Sequence, residues 1–415
     1  MQWRMPISHI LPNDFILSDP YLTANVTIED ILTHRTGAPG HDNTLLGQKA
    51  AHPDNAKSIT QNLRNLPFNK PLRCDYQYSN LMYTVATHLI ETVTGESYPD
   101  FVRKRIWEPL GMLSTYHDIP TVEAGNAMGR LAMGHHWDRE SQKYFAIPSY
   151  AQPEGQGAGC VFSSVDDYAK WVRALVKRSA PLSEESHNEM LKGRTIVPYE
   201  GNDAPPLYGQ SLYALGLVVE SYRGHTVVGH DGSFYGFKAL MRFLPEHDCG
   251  IVVFGNASNA FFVHQILFHQ LMDEILNVQL EERTDWLAHW RKCYQDEQKE
   301  ETEEDPELLP SSSPEPLSVA LEDLAGEYFN AGYHVIVLTH SKGRLEADCA
   351  DRCTPFKLRF DHLSGNKFVV EFYDVLIRSK QKMKAEFEFE DGKVQGFGIP
   401  LCDEMKELIW FHRHR

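Results

Sequence analysis

Three polar side chains suited to acid–base chemistry stand side by side at Tyr78, Ser79 and Asn80. A phenol beside a cation can act as a general base or acid, and a carboxamide can hold a substrate carbonyl or a neighbouring side chain. The tripeptide also has a structural interpretation, in which Tyr78 is a core aromatic residue and Ser79 is a helix N-cap. Taken alone, it favours the structural interpretation.

A second polar group, the tetrapeptide His-Asp-Gly-Ser at residues 230–233, lies within a stretch of alternating polar and apolar residues that predicts a β-strand. A glycine inside a strand permits close approach of a ligand to the backbone. The alternative is an ordinary Asp-Gly β-turn. The strand context favours the ligand interpretation for His230 and Gly232.

The elements that would position these residues are visible in the hydrophobic pattern. Apolar residues recur every four positions from Leu81 to Val93, and Gly95 follows as a C-terminal glycine would, so a helix begins directly after the tripeptide. Thr27 with Asp30 forms a capping-box pattern for an earlier helix, which Gly37 is expected to end. Residues 163–167 predict a further helix start, again with a capping box.

From residue 213 the hydrophobic period changes to that of strands. Four alternating stretches between residues 213 and 255 predict an antiparallel sheet, and an amphipathic helix over residues 261–276 is expected to pack on it. The fold class is therefore α+β: an antiparallel sheet flanked by helices, plus a mainly helical lobe.

The C-terminal part has a different character. Residues 295–317 are acidic and then rich in Pro and Ser, which predicts a linker that buries no core. Short alternating strands follow, so a small C-terminal β-barrel of lipocalin-like shape is expected. The predicted division is residues 1–292, a linker at 293–320, and an all-β domain at 321–415.

Bulk composition limits the function classes. The 415 residues carry a formal net charge of −17, which argues against a nucleic-acid partner and against an anionic membrane surface. Seven scattered cysteines and no visible secretory signal predict a reducing, cytoplasmic location, with Cys349 and Cys353 as unpaired thiols. Adjacent strand residues point to opposite faces, so the His135-His136 pair does not predict a metal site. No metal or organic cofactor is implied, and the oligomeric state stays open.

Several ordered motifs together resemble the serine β-lactamase and penicillin-binding-protein superfamily, in its class C and esterase-like branch. The similarity runs from about residue 6 to about residue 257. It rests on Thr27-Ile-Glu-Asp-Ile-Leu-Thr-His-Arg-Thr-Gly37, Tyr78-Ser79-Asn80, Ile90-Glu-Thr-Val-Thr-Gly95, Ile106-Trp-Glu-Pro-Leu-Gly-Met112, Gly155-Gln-Gly-Ala-Gly159, Ser163-Ser-Val-Asp-Asp167 and His230-Asp231-Gly232. Members of this superfamily often carry a C-terminal appendage. The segment Asp323-Leu-Ala-Gly-Glu-Tyr328 resembles the start of that appendage.

The resemblance implies a penicillin-binding-protein-like cleft for a small-molecule or peptide acyl substrate. Tyr78 matches the Tyr-x-Asn motif with Asn80, and His230 matches the strand tripeptide. It therefore implies catalytic roles for Tyr78 and His230 and substrate binding by Asn80, Gly232 and Ser233. Residues 35–37 look like the strand tripeptide Lys-Thr-Gly but close a helix, so they are rejected for that role.

The family mechanism also needs Ser-x-x-Lys on a helix, where the lysine activates the serine. The resemblance places this motif several tens of residues before Pro6, where this sequence does not extend. Two Ser-x-x-Lys strings occur at residues 364–367, in a predicted turn, and 379–382, in a predicted charged connection. Neither is expected to be the nucleophile.

Three hypotheses follow. The first is a serine hydrolase of the esterase, peptidase or amidase type whose nucleophile segment is absent from this chain, which makes the chain itself inactive. The second is a pseudoenzyme or binding protein that keeps the cleft without catalysis. The third is an interaction protein whose β domain is the working part, which predicts an exposed apolar patch on residues 321–415.

Overall fold

The helical lobe forms the N-terminal half of the protein. The structure, a computed structural model, describes residues 2–150, 152–199, 207–300, 308–309 and 313–414. The lobe comprises Pro20–Asn25 (α1), Ile28–Leu32 (α2), Ala56–Asn62 (α3), Asn80–Thr94 (α4), Tyr98–Val102 (α5), Glu108–Leu110 (α6), Ile119–Ala124 (α7), the hairpin Gly134–Asp138 (β1) and Lys143–Ile147 (β2), Val165–Lys177 (α8) and Glu184–Leu191 (α9).

Helix α4 is the central helix of this lobe and has the predicted bounds. Its buried face includes Leu81, Val85 and Leu89, and it ends at Gly95, whose φ of 70° is the left-handed conformation that a glycine adopts readily. Ser79 is the N-cap residue, but its hydroxyl donates to the carbonyl of Pro39 instead of capping the helix. The N-cap interpretation is therefore right in position and wrong in hydrogen bonding.

Two other helix predictions need correction at their ends. The capping box between Thr27 and Asp30 is present, but α2 ends with Thr33 as its C-cap, well before Gly37. The Ser164 hydroxyl accepts from the Asp167 N–H, which is half of a capping box. The Asp167 carboxylate accepts instead from the Ser114 N–H.

The six-stranded antiparallel sheet follows in the order of the chain. Its strands are Thr195–Val197 (β3), Ser211–Tyr213 (β4), Val218–Tyr222 (β5), His225–Phe234 (β6), Phe237–Leu244 (β7) and Cys249–Gly255 (β8). The single strand expected over residues 213–219 is two strands, since the chain reverses at Gly216 with a φ of 74°. Helices Ala260–Ile275 (α10) and Trp286–Glu300 (α11) cover one face.

Alternation along β6 sends neighbouring residues to opposite faces. Val227 is buried against the helix pair α10 and α11, whereas Val228 is buried against α8 on the other side. The residue two positions further on, His230, therefore shares the face that looks toward the helical lobe. This register decides which side chains of β6 can take part in a site between lobe and sheet.

The C-terminal residues form the predicted barrel, and it is closed. Its eight antiparallel strands are Gly326–Asn330 (β9), His334–Ser341 (β10), Arg344–Cys349 (β11), Phe356–Ser364 (β12), Lys367–Asp374 (β13), Lys380–Glu390 (β14), Lys393–Ile399 (β15) and Ile409–Arg413 (β16). Residue 382 lies in β14 and not in a connection, so that part of the Ser-x-x-Lys prediction is corrected. Closure leaves no unpaired edge on this sheet.

The barrel shares its core with the helical lobe. One continuous group of buried apolar side chains contains Ile59 and Leu66 of the lobe together with Ile336 and Leu338 of the barrel. Backbone pairing joins the two parts as well: the Gly47 N–H donates to the Asp351 carbonyl and the Cys353 N–H to the Leu45 carbonyl. The barrel is thus packed as part of the body and not held by its connection alone.

Helix α11 extends to Glu300, so the first eight residues of the predicted 293–320 linker are helical. Residues 301–307 and 310–312 of that prediction lie outside the described residues. No disulfide joins any of the seven cysteines, all of which are described, so Cys349 and Cys353 are thiols as expected. None of the described helices is both long enough and apolar enough to cross a bilayer.

Limited proteolysis tests the domain division. Because of its acidic, Pro/Ser-rich composition we expect the first cuts within residues 301–317, giving fragments of about 300 and about 100 residues. The fragments should co-elute with uncut protein on native size exclusion and separate only in denaturant, since the shared apolar core holds them together. Early cuts within residues 76–276 would contradict the division, and fragments that part under native conditions would contradict the shared core.

Candidate active site

A chain of hydrogen bonds joins the helical lobe to the sheet. The Ser79 N–H donates to Nδ1 of His34 at 3.1 Å, and Nε2 of His34 lies 3.2 Å from the Tyr213 hydroxyl oxygen. That hydroxyl lies 3.0 Å from Nε2 of His230, whose Nδ1 lies 2.6 Å from the carbonyl oxygen of Asp231. Four residues far apart in sequence are connected by these contacts.

The partners at the two ends fix every proton in the chain. A backbone N–H can only donate, so Nδ1 of His34 is an acceptor and its Nε2 carries the proton. A carbonyl can only accept, so Nδ1 of His230 carries a proton; because burial favours the neutral imidazole, its Nε2 is then an acceptor. The Tyr213 hydroxyl therefore accepts from His34 and donates to His230. Both imidazoles are neutral in this arrangement.

Burial keeps both histidines uncharged. It lowers the pKa of His34 to about 3, with a further contribution from His230 nearby. Burial also lowers the pKa of His230, against the opposing effect of its hydrogen bond to the Asp231 carbonyl. The pKa of Tyr213 is raised, first by burial and then by the neighbouring tyrosines. At neutral pH this hydrogen-bonded series of side chains therefore carries no net charge.

Local backbone geometry explains how each member reaches the site. His34 follows α2 with a φ of 52°, a left-handed conformation that turns its ring back beneath the start of α4. Tyr213 is the last residue of β4, and His230 lies in the middle of β6. Helical lobe and sheet are therefore held in register by side chains that are themselves buried or half-buried.

Tyr78 lies against this chain on the solvent side. Its ring centroid is 4.1 Å from that of His34 and 6.5 Å from that of His230, and 39% of the residue is exposed. Loss of solvation raises the pKa of Tyr78, and the charge of Asp42 raises it further. From the sequence, Tyr78 could act as a base if a cation lay beside its phenol. Its histidine neighbours are neutral instead, which leaves the phenol protonated at neutral pH.

The Asn80 side chain is directed at Asp42. Its side-chain amide donates to Oδ1 of Asp42 at 3.3 Å. Desolvation raises the pKa of Asp42 to about 6 although the Asn80 hydrogen bond opposes the shift, and the charge of Glu404 adds to it. A Cβ at Gly40 would lie 3.1 Å from Glu404 Oε1 and 3.4 Å from Asp42 Oδ2, so the two carboxylates stand close together.

The barrel contributes to the rim of this region. Glu404 belongs to the loop between β15 and β16, and Asp374 ends β13. The Tyr235 hydroxyl, in the turn after β6, donates to Asp374 Oδ2 at 3.0 Å. We call the region around Tyr78, Asn80, Asp42, His230 and Gly232, where the family resemblance predicts substrate binding, the cleft. Its rim therefore includes acidic residues from the barrel as well as from the helical lobe.

Gly232 and Ser233 differ in position. Gly232 shares the cleft face of β6 with His230, and a Cβ added there would meet only Ala239, at 3.3 Å. Ser233 alternates to the opposite face, where its hydroxyl accepts from the Lys238 ammonium at 2.6 Å. Any contact between Ser233 and a ligand in the cleft would therefore have to come from its backbone.

The cleft side of β6 has a free backbone edge among the described residues. On one side β6 pairs with β7 along its length, from Val228 to Phe234. On the other side its pairing with β5 stops at Gly229, opposite Val218. Alternate N–H and C=O groups of residues 230–234 therefore point away from the sheet without a strand partner.

The structure brings the ring centroids of Tyr78 and His230 to within 6.5 Å, pairs the Asn80 amide with Asp42, and places Gly232 on the same face of β6 as His230, with the Ser233 side chain on the opposite face. Sequence reasoning missed His34 and Tyr213. His34 lies inside the residue 27–37 motif used for the resemblance, which was a usable signal. Tyr213 began an alternating stretch and carried no signal of its own.

Metal-ligating groups lie elsewhere. Among the described residues, the one set of three that could hold an ion is His225, Glu246 and His247. His225 begins β6, five residues before His230. At about 3.3 Å per strand residue it lies roughly 17 Å from that histidine, outside the cleft.

Comparison with protein-family models matches residues 1–270 to "Beta-lactamase" and residues 311–413 to "Domain of unknown function (DUF3471)". The chain is 33% identical to "Unguisins hydrolase ungD'" of Aspergillus campestris, over 100% of this chain and 77% of that protein. It is 32% identical to "Unguisins hydrolase ungD" of Aspergillus violaceofuscus, over 93% of this chain and 71% of the relative.

Among solved structures, the octameric penicillin-binding-protein homologue from Pyrococcus abyssi aligns with a TM-score of 0.57 at 20% identity. The alignment covers 99% of this chain and 82% of that one, so it includes the barrel. A likeness at this identity establishes the fold: a mixed helix-and-sheet body followed by a β-barrel.

Removing the Tyr213 hydroxyl should destabilise the protein. Tyr213→Phe leaves Nε2–H of His34 and Nε2 of His230 without their partner in a buried place, which costs about 1–3 kcal/mol of unfolding free energy. Urea denaturation followed by circular dichroism measures the loss. Tyr21→Phe, at an exposed tyrosine, is the matched control and should change nothing. Equal stability of the Tyr213 variant and wild type would show that these hydrogen bonds do not help to hold the helical lobe to the sheet.

Replacing Asp42 by Asn should stabilise the protein in a pH-dependent way. An acid whose pKa rises on folding binds its proton more tightly in the native state, so stability falls as pH rises from 3.8 through about 6. Asp42→Asn should therefore melt above wild type at pH 7.5, with the difference shrinking below pH 6 and absent near pH 4. Asp42 keeps solvent contact, so water screens the effect and the difference should be small; thermal melts across this range, with Asp75→Asn as control, check it. A difference that does not vary with pH would exclude titration of Asp42 as its cause.

Proposed function

The chain belongs to the Beta-lactamase family, and from that premise we propose that its cleft binds small-molecule or peptide acyl compounds of the kind that serine esterases, peptidases and amidases process. The observation that carries the proposal is the meeting of Tyr78, which precedes the N-cap of α4, with His230 of β6, beside the free edge of β6. Its relatives named as Unguisins hydrolases support a hydrolytic ancestry for this cleft.

The free edge favours a substrate with backbone-like amides. An extended peptide can add to an exposed strand edge through main-chain hydrogen bonds, and pockets for alternate side chains then give specificity. Residues 230–234 offer such an edge, and Gly232 leaves its cleft face clear of side-chain atoms other than Ala239. A peptide or amide substrate fits this geometry better than a compact ester, which has fewer groups to pair.

Within the cleft, the residues differ in what they can supply. Tyr78 is protonated at neutral pH and partly exposed, so it can donate a hydrogen bond or a proton to a bound acyl compound. His230 has both ring nitrogens engaged by Tyr213 and Asp231, so we assign it to positioning and lining the cleft. Asn80 and Asp42 together provide polar contacts at the rim.

A second candidate is binding without covalent catalysis, and the placement of serines and lysines favours it. Ser364 and Lys367 flank the β12–β13 turn, and residues 379–382 lie at the start of β14. The Ser233–Lys238 contact is close, but it lies on the sheet face turned away from Tyr78. In the sequence as printed no Ser-x-x-Lys begins a helix near the cleft, so we propose that this chain binds acyl compounds without forming an acyl-enzyme.

Covalent probes test this directly. After incubation with a penicillin or a fluorophosphonate, intact-mass spectrometry should find no stoichiometric adduct, because an unassisted serine hydroxyl is a weak nucleophile at neutral pH. A family segment carrying Ser-x-x-Lys on a helix, fused ahead of residue 1, should restore an adduct on its own serine. In that fusion Tyr78→Phe should slow acylation, by about 10²–10⁴-fold if the phenol transfers a proton.

Two variants sharpen the readout. Ser233→Ala removes the serine with the closest lysine contact, and Ser364→Ala removes one of the stray motifs. If the unfused chain gains an adduct that either variant abolishes, non-covalent binding is excluded and the nucleophile is located.

The hypothesis that the barrel binds a partner stays a prediction as well. Phe329, Val335 and Val337 are exposed apolar side chains on β9 and β10, which is the feature that this hypothesis requires.

A further inference from the structure

Two imidazoles and a carboxylate meet at one end of the sheet, far from each other in sequence. His225 is the first residue of β6, directly after the tight β5–β6 turn. Glu246 and His247 belong to the Pro245–His247 turn between β7 and β8. Because β6, β7 and β8 are antiparallel neighbours, these two turns lie at the same end of the sheet and their side chains face each other.

The ligand atoms are spaced nearly as in a metal site, and the two imidazoles are hydrogen-bonded to each other. Nε2 of His247 lies 3.0 Å from Nδ1 of His225, and that Nδ1 lies 3.7 Å from Oε2 of Glu246. One ligand atom from each residue fits within 4.8 Å of the others. A tetrahedral ion with metal–nitrogen and metal–oxygen bonds of about 2.0–2.2 Å separates its ligand atoms by about 3.3–3.5 Å. Small side-chain rotations would therefore suffice to coordinate one ion.

The carboxylate is already oriented for this task. The Thr226 hydroxyl donates to Oε1 of Glu246 at 3.0 Å, which leaves Oε2 directed at His225. Hydrogen bonds of this kind from outside the ligand set hold a ligating carboxylate in place. His225 and Glu246 are partly exposed, with 40% and 54% of their side chains accessible, so an ion and a water ligand can reach them.

We propose that His225, Glu246 and His247 bind a divalent transition-metal ion of the zinc class, with water completing the coordination. Two imidazole nitrogens and one carboxylate oxygen suit zinc, cobalt, nickel or copper, whereas magnesium and calcium prefer all-oxygen sites. The sequence implied no metal because His225 and His247 are 22 positions apart. Only the pairing of the strands brings them together.

The ion would act as a structural link between the two turns. It would tie the β5–β6 connection to the β7–β8 connection at the end of β6 opposite the cleft. Binding to the native state alone raises stability by mass action. The site therefore predicts a metal-dependent rise in melting temperature without a change in ligand binding at the cleft.

Titration of the chelator-stripped full chain with ZnCl₂ tests the proposal. Isothermal calorimetry and native mass spectrometry should show that wild type binds one more tight equivalent of zinc than His225→Gln/His247→Gln. Affinity for that equivalent should fall by at least about 100-fold, the upper end of what losing a ligand's supporting hydrogen bond costs. The melting temperature should rise with zinc in wild type and not in the double variant. MgCl₂ at the same concentration should have no effect.

Matched variants separate this site from adventitious binding to other histidines. His340→Gln alters an exposed histidine on β10 and should leave the tight equivalent and the thermal shift intact. Glu246→Gln keeps both imidazoles and the side-chain shape, and should weaken zinc binding even if the double variant folds poorly. Equal zinc stoichiometry and equal thermal shifts in wild type and Glu246→Gln would overturn the proposal.

Discussion

The Tyr213 hydroxyl is the contact on which the rest of the cleft depends. It accepts from His34 of the helical lobe and donates to His230 of the sheet, so one oxygen satisfies both imidazoles in a place from which water is largely excluded. Buried polar groups are stabilising only when each has its partner. Because the hydrogen-bonded series ends at a backbone N–H and a backbone carbonyl, and burial keeps both imidazoles neutral, the direction of its hydrogen bonds follows. Tyr78 then packs on a neutral, rigid surface.

The buried histidines of the site are neutral, whereas its rim carries carboxylates. His34 and His230 provide no positive charge, while Asp42 and Glu404 stand close together near the cleft entrance. The charges that a bound compound meets are therefore on carboxylates, and part of that acidity comes from the barrel. Glu404 of the barrel lies close to Asp42, so the barrel borders the cleft region as well as packing on the helical lobe.

Much of the architecture was predictable because it follows local patterns. Helix α4, the strands of the sheet and the closed barrel follow from hydrophobic period and turn residues, which act over a few positions. Helix ends were less predictable: Ser79 and Asp167 have side chains that found partners from other elements. His34 and Tyr213 escaped for the same reason, since a contact between residues 179 positions apart leaves no local trace. The face of Ser233 was decided by strand alternation, which the sequence contained but the motif obscured.

The backbone pairing of Leu45–Gly47 with residues 351–353, and the hydrogen bond between His41 and Tyr333, have a consequence for recombination. Recombination at the acidic connection would separate the barrel from residues 41–47. Each product would then keep only one side of the interface between them. The heritable unit of the barrel is larger than the barrel: it includes the loop over residues 41–47 of the helical lobe. Chimeras that exchange the barrel and the loop together would keep a complete interface. Where evolution has replaced the barrel, we expect the loop to have been replaced with it.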